Sequence, residues 1–137
     1  MELRDSLDGI GPTQLQGFFE GWPDPPSPET LRRLLSQSYR VSLAVDGQGR
    51  VVGLAQAVSD GVLTAFVPLL EVLPEHRGKG VGTALMRHLL GQLAHLYAVD
   101  LGCEGDLVPF YERLGMQRGN AMILRRYDRQ SGTPSGL

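Results

Sequence analysis

Seven consecutive residues, Arg77-Gly78-Lys79-Gly80-Val81-Gly82-Thr83, set glycines at alternating positions among two cations, just ahead of an apolar-periodic stretch. Glycine carries no Cβ, so its backbone can come close to a ligand. The first amides of a helix opening here have no intrahelical acceptor and point outward as donors. With the helix dipole they make an anion site worth roughly 0.3–1 kcal/mol per favourable charge. A pyrophosphate fits such a site, and Lys79 adds a mobile cation beside it. Two other phosphate loops fit poorly. The Walker pattern fails because no glycine stands five residues before Gly78-Lys79 and no Ser or Thr follows Lys79. The dinucleotide fingerprint G-x-G-x-x-G fails because, after Gly78 and Gly80, the third glycine falls at 82, one early. Asp100, about 20 residues further on, keeps a nucleotide-binding oxidoreductase as a runner-up.

The elements that position this loop follow from pattern. Val62–Leu73 reads as a long strand running into it, and the helix after it extends to about Leu96. Val81, Leu85, Leu89, Leu93 and Leu96 form that helix's core stripe. Upstream, Tyr39–Asp46 and Arg50–Ser59 read as strands, with Gly47-Gln48-Gly49 and Asp60-Gly61 as the turns of an antiparallel meander. Val41, Leu43 and Val45 share one side of the first strand. Pro68 implies a local break in pairing, because proline cannot donate to a ladder. The first third reads as helical: a short helix over Pro12–Phe19, a proline-rich loop over 21–26, then a helix from Ser27 as N-cap to about Gln37. Downstream come a strand at Tyr97–Cys103, a helix from Asp106 or Leu107 to Leu114, and Gly115 as its left-handed cap. A final strand at about Ala121–Tyr127 closes the domain. The expected fold is α/β (mixed α+β), a central mixed twisted sheet with flanking helices. Residues 1–127 form one domain, and 128–137 a short polar tail expected to be disordered.

Composition narrows the function. The 137 residues carry a formal charge of −2, which gives no reason to expect nucleic-acid or anionic-membrane binding. Cys103 is the single cysteine, so neither an intramolecular disulfide nor a multi-cysteine zinc site is expected. His76, His88 and His95 stand in no metal-ligand spacing, so no metal is expected. No apolar run reaches bilayer-spanning length, and the charges within Met1–Asp8 exclude a signal-peptide core. The expected location is cytoplasmic.

Two blocks resemble the GNAT superfamily of N-acetyltransferases. The first is Arg77, Gly80 and Gly82, preceded by Leu70-Glu71-Val72-Leu73-Pro74. The second, Leu107-Val108-Pro109-Phe110-Tyr111-Glu112-Arg113-Leu114-Gly115-Met116, is similar to the family's F-Y-x-x-x-G-F segment. The resemblance covers roughly Tyr39–Tyr127. Cys103-Glu104 followed by Leu107–Tyr111 is further similar to the arylalkylamine (serotonin) N-acetyltransferases, and Ser59-Asp60-Gly61-Val62 to their plastid relatives. The animal branch carries two histidines on the long strand as a base relay. Phe66 and Pro68 occupy those positions here.

The resemblance implies a GNAT-like fold with strands splayed at an acyl-coenzyme A site. It also implies acetyl-coenzyme A as cofactor and direct attack by an amine on its thioester. Main-chain groups at Val72 and Leu73 would face the acyl group and pantetheine, and the backbone of Arg77, Gly78, Lys79, Gly80, Val81, Gly82 and Thr83 the phosphates. Tyr111 would protonate the departing thiolate; a phenol near pKa 10 and a thiol near about 8.5 match closely enough. Such transfer typically gives about 10²–10⁴-fold. Glu71 is the nearest ionisable candidate for the base, with solvent through ordered water an equal alternative. Phe18, Phe19, Trp22 and Phe66 are the candidates for an acceptor pocket. The partner is a small-molecule amine, and the chain a monomer or homodimer. A non-catalytic acyl-coenzyme A sensor on the same fold is the alternative, because no histidine faces the acyl site and Glu104 replaces the family's usual Asn.

Overall fold

The structure, a computed structural model, describes residues 1–133. Part of the expected disordered tail, 134–137, lies outside the described residues. Five strands, β1 (Glu2–Arg4), β2 (Arg40–Val45), β3 (Val51–Ser59), β4 (Thr64–Val72) and β5 (Ala98–Asp100), form one open sheet in sequence order. The first three pairings are antiparallel and β4–β5 is parallel. The helices are α1 (Pro28–Ser36), α2 (Val81–Gln92) and the short α3 (Val108–Glu112).

Strand alternation assigns the two faces. Val41, Leu43 and Val45 pack with Leu31 and Leu35 of α1, as the period-2 pattern requires. Ala44 and Val52 pack with Val81 and Leu85 of α2, while Ala55, Ala57, Ala65 and Val67 meet its Met86 and Leu89 and the capping Leu93. Leu96, the last of the expected stripe, is half-buried beyond the helix end.

Side-chain oxygens set the turns. Ser27 Oγ accepts from Thr30 N–H at 3.1 Å and caps α1, with Pro28 in its first turn. Asp46 Oδ1 accepts from the amides of Gln48 and Arg50, each at 2.9 Å, closing the β2–β3 hairpin. Asp60 Oδ1 does the same for Val62 and Leu63 at 2.8 and 2.9 Å. These amides hold both carboxyls below their ordinary pKa. At Pro68 the β3–β4 register slips: Gln56 faces Leu69, whereas Val58 faces Phe66. The missing donor is accommodated by a bulge, as expected of proline in a ladder.

The departures lie at the ends. β1 adds a strand where the leading segment reads as helical, pairing Glu2–Arg4 with Leu43–Val45. The helix expected over Pro12–Phe19 shrinks to a 3₁₀ turn at Pro12–Gln14, because Gly17 (φ +94°) and Phe19 (φ +66°) are left-handed. β5 has three residues instead of Tyr97–Cys103, and α3 ends at Glu112, before the capping Gly115 (φ +91°).

The strand expected at Ala121–Tyr127 does not form. Residues 121–126 are exposed and pair with no strand. The chain beyond is instead drawn to α1 and the loop before it: Asp24 N–H donates to Gln130 Oε1 at 3.0 Å, and Arg33 Nη2 to the Gly132 carbonyl at 3.4 Å. No helix among the described residues is long and apolar enough to cross a membrane.

Candidate active site

β4 pairs with β3 as far as Val72, but with β5 only at Thr64–Phe66. Past Phe66 its second edge has no strand beside it. Leu73 N–H donates to the Val52 carbonyl at 2.9 Å. Because main-chain directions alternate along an antiparallel ladder, Val72 turns its N–H and C=O away from β3, into this gap. Arg77 agrees with that direction, since its Nε donates to the Val72 carbonyl at 3.0 Å. The gap is a cleft of about 450 Å³, with Leu70–Val72 along β4, the start of α2 and the α3 pair Phe110 and Tyr111 as its lining.

The turn before α2 presents main chain to this cleft. Gly78 and Gly80 have φ of +75° and +82°, and a Cβ on either would meet nothing within 4 Å. Gly80 caps α2 with no side-chain bond, while the Ala84 amide returns to the Gly80 carbonyl at 3.1 Å. The amides of Val81, Gly82 and Thr83 therefore lack an intrahelical acceptor at a mouth where no side chain competes for them. Phe110 backs this end of the helix: a Cβ on Gly82 would lie 3.7 Å from Phe110 Cζ and 3.9 Å from Val72 Cγ2. Free amides at a helix start of this kind suit an anion such as a diphosphate.

Glu71 and Tyr111 are two of the ionisable side chains that line the same cleft. Glu71 is half-buried, and desolvation raises its pKa above the ordinary 4.5; the Phe19 amide and the Arg77 charge pull the other way, and Glu20 raises it further. Phe19 N–H donates to Glu71 Oε1 at 2.9 Å. Phe19 is the one non-glycine residue with positive φ among the described residues, a conformation that costs about 1–3 kcal/mol. Its buried ring and this hydrogen bond hold it there. Burial also raises the Tyr111 pKa above 10.0, with the nearby Cys103 adding to the shift. The Tyr111 ring meets Phe110 edge-on at 4.9 Å and 84°.

The remaining candidates fall in different places. Arg77 lies at the cleft but is engaged, pairing with Glu20 at 2.8 Å besides its bond to Val72. Lys79 is exposed on the turn. Leu73 corrects the expectation: its side chain is buried and its amide committed to Val52, so Val72 alone of the pair faces the cleft. Phe19 belongs to the core, and Phe18 packs half-buried between two clusters. Trp22 meets the Phe19 ring at 4.7 Å, tilted by 47°, and is partly exposed. Phe66 lines a separate surface groove with Tyr97–Leu101. None of these four aromatics lines the cleft beside Glu71, since alternation along β4 and the left-handed turn at Phe19 aim them elsewhere. His76, which the sequence places only outside any metal-ligand spacing, does line it, as does Phe110. Phe110 was legible as part of the F-Y block; His76 carried no signal. Among the described residues no cluster of three His, Cys, Asp or Glu side chains could hold a metal.

Comparison with known proteins agrees with this geometry. The Acetyltransferase (GNAT) family matches residues 7–116. The crystal structure of a protein described as an acetyltransferase from Deinococcus radiodurans R1 superposes with a TM-score of 0.94 at 53% identity, covering 98% of this chain and 94% of that one. Serotonin N-acetyltransferase 2, chloroplastic, of Oryza sativa subsp. japonica is 38% identical over 92 residues, 64% of this chain and 46% of its own length. An uncharacterised N-acetyltransferase of Porphyra purpurea is 32% identical over 99 residues, 69% of this chain and 57% of its own. The chain thus spans about half the length of the curated relatives it matches. With its open-ended α2 beside a splayed β4, and a match over most of its length, this chain belongs to the GNAT acetyltransferase family.

Proposed function

We propose that this chain is an N-acetyltransferase that moves an acetyl group from acetyl-coenzyme A to a primary amine of a small molecule or peptide N-terminus. The observation that carries the reading is one cleft lined by the uncapped start of α2, the outward main chain of Val72 and the Tyr111 side chain. Bound acetyl-coenzyme A supplies an acyl group activated as a thioester. The α2 amides hold its phosphates. The Val72 N–H, turned into the cleft, would stabilise the negative charge that develops on the acyl oxygen as the amine attacks directly, and one such donor in a dry site is worth several kcal/mol. Tyr111 donates its proton to the departing thiolate sulfur. Glu71 accepts the proton the amine must lose, directly or through water. Its raised pKa brings it nearer the amine than an ordinary carboxylate.

A non-catalytic acyl-coenzyme A module on the same fold is the second reading, favoured by the absence of a histidine on β4 and by Glu104. Thiol release from acetyl-coenzyme A across an amine panel separates the two. The panel includes serotonin because a relative bears that name. Release with at least one amine above the hydrolysis rate supports transfer; calorimetric binding of acetyl-coenzyme A with no release from any amine supports the module. NADH binding without coenzyme A binding would refute both.

A further inference from the structure

Two adjacent residues of the loop before α1 reach across the end of β4. Phe19 N–H donates to Glu71 Oε1 at 2.9 Å, and Glu20 Oε2 accepts from Arg77 Nη1 at 2.8 Å. The loop that carries them is tightly turned. Gly17, Phe19 and Gly21 are all left-handed, at φ +94°, +66° and +84°, and Trp22 N–H returns to the Phe19 carbonyl at 3.1 Å. Glu20 is thus brought beside Glu71 and Arg77 by backbone that is already fixed.

Arg77 has two carboxylates near it. Its Nε sits on the Val72 carbonyl at 3.0 Å, one residue along from Glu71, and its charge acts on the Glu71 carboxyl. Its ion pair is nonetheless with Glu20, while Glu71 holds the neutral Phe19 amide. The difference matters to acid–base chemistry. A carboxylate paired with a guanidinium binds a proton less well and makes a poorer base. Of the other titratable groups nearby, Glu75 pairs with Arg50 at 3.4 Å, and His76 and Tyr111 line the cleft.

We infer that Glu20 is a positioning residue: it holds Arg77 against the Val72 carbonyl and away from Glu71, leaving Glu71 free to take the proton of the amine. The inference rests on the reading of Glu71 as the base. Loss of Glu20 releases one end of the Arg77 guanidinium, and Glu71 is the carboxylate next in reach. The Glu20–Arg77 pair is half exposed and adds little stability of its own, so Glu20→Gln should melt as the parent does.

Carboxyl NMR titration of Glu71 in the ligand-free protein tests this across the parent, Glu20→Gln, Arg77→Gln and the double variant. Arg77→Gln alone should raise the Glu71 midpoint, because the charge that pulls it down is gone. Glu20→Gln should lower it, and by at least about 0.5 pH unit more in the parent background than in the Arg77→Gln background. The acidic limb of kcat/KM in Glu20→Gln should move down with the midpoint. An equal effect of Glu20→Gln in both backgrounds would overturn the inference, since Glu20 would then act by its own charge and not through Arg77. An unmoved midpoint in Glu20→Gln would overturn it too. If the midpoints behave as expected while the kcat/KM limb stays in place, the hold on Arg77 stands and the reading of Glu71 as the base falls.

Discussion

Tyr111 and Glu71 line one cleft, and loss of water raises the pKa of both. The consequences are opposite. A phenol pushed above 10.0 stays protonated at neutral pH and is available as a donor. Tyr111→Phe removes that proton and keeps the ring against Phe110. Turnover is expected to fall at least about tenfold with coenzyme A affinity unchanged, read by steady-state kinetics beside calorimetry. Unchanged turnover would remove Tyr111 from the chemistry. A carboxyl pushed above 4.5 must lose its proton to act as a base, so the acidic limb of kcat/KM should lie above the ordinary carboxylate range. Glu71→Gln keeps an acceptor for the Phe19 amide and should lower that limb; a profile identical to the parent's would assign the base to solvent. The linkage sign is also fixed. With the folded pKa above the unfolded one, the contribution of Glu71 is complete below the unfolded pKa and is lost as pH rises through the folded one. The Gln variant should therefore be no less stable than the parent at pH 7.

Elements explain why some of this was legible. The Arg77–Thr83 loop could be read because its chemistry is local: glycines, missing amide acceptors and a helix start are properties of adjacent residues. The same holds for Ser27 as a cap and for the two hairpins, where a single aspartate organises each turn. Pairing across distance was less legible. β1 has three residues and exists because Leu43–Val45 offer an edge, which no pattern within Glu2–Arg4 announces. Ala121–Tyr127 has strand composition, yet it pairs with no strand. The four aromatics lie apart from the cleft for a related reason: a left-handed Phe19 and the bulge at Pro68 change where side chains point. Gly53 shows how one element sets another. A Cβ there would stand 2.8 Å from Leu85 Cδ1 and 3.1 Å from Val81 Cγ1, so its absence lets α2 sit close on β3 and fixes the height of the α2 start above Val72. Gly53→Val should cost about 1–3 kcal/mol in denaturant unfolding. It should also weaken coenzyme A binding, because the loop moves with the helix. Loss of stability with full affinity would show that the loop is positioned independently of this contact.

For the whole molecule, the cleft is assembled from three parts far apart in sequence: the end of β4, the start of α2 and α3. A ligand that touches all three binds the native state and not the unfolded chain, so binding must appear as stability. At a concentration about 100 times the dissociation constant the gain is about 2.7 kcal/mol. Each kcal/mol raises the melting temperature by several degrees in a chain of this size. Coenzyme A should therefore raise the melting temperature of the parent clearly, and that of Tyr111→Phe by the same amount, because the proposed mechanism has Tyr111 act on the leaving group and not on the phosphates. Gly80→Glu places bulk and negative charge at the α2 amides, in space that is open in the parent. The variant should lose the coenzyme A shift altogether. Its own melting temperature should fall by the modest cost of a left-handed non-glycine residue, about 1–2 kcal/mol. Thermal melts of the three proteins with and without coenzyme A read both quantities in one experiment. A full ligand shift in Gly80→Glu would mean that the phosphates lie elsewhere, and the placement of the thioester against Val72 would fall with it.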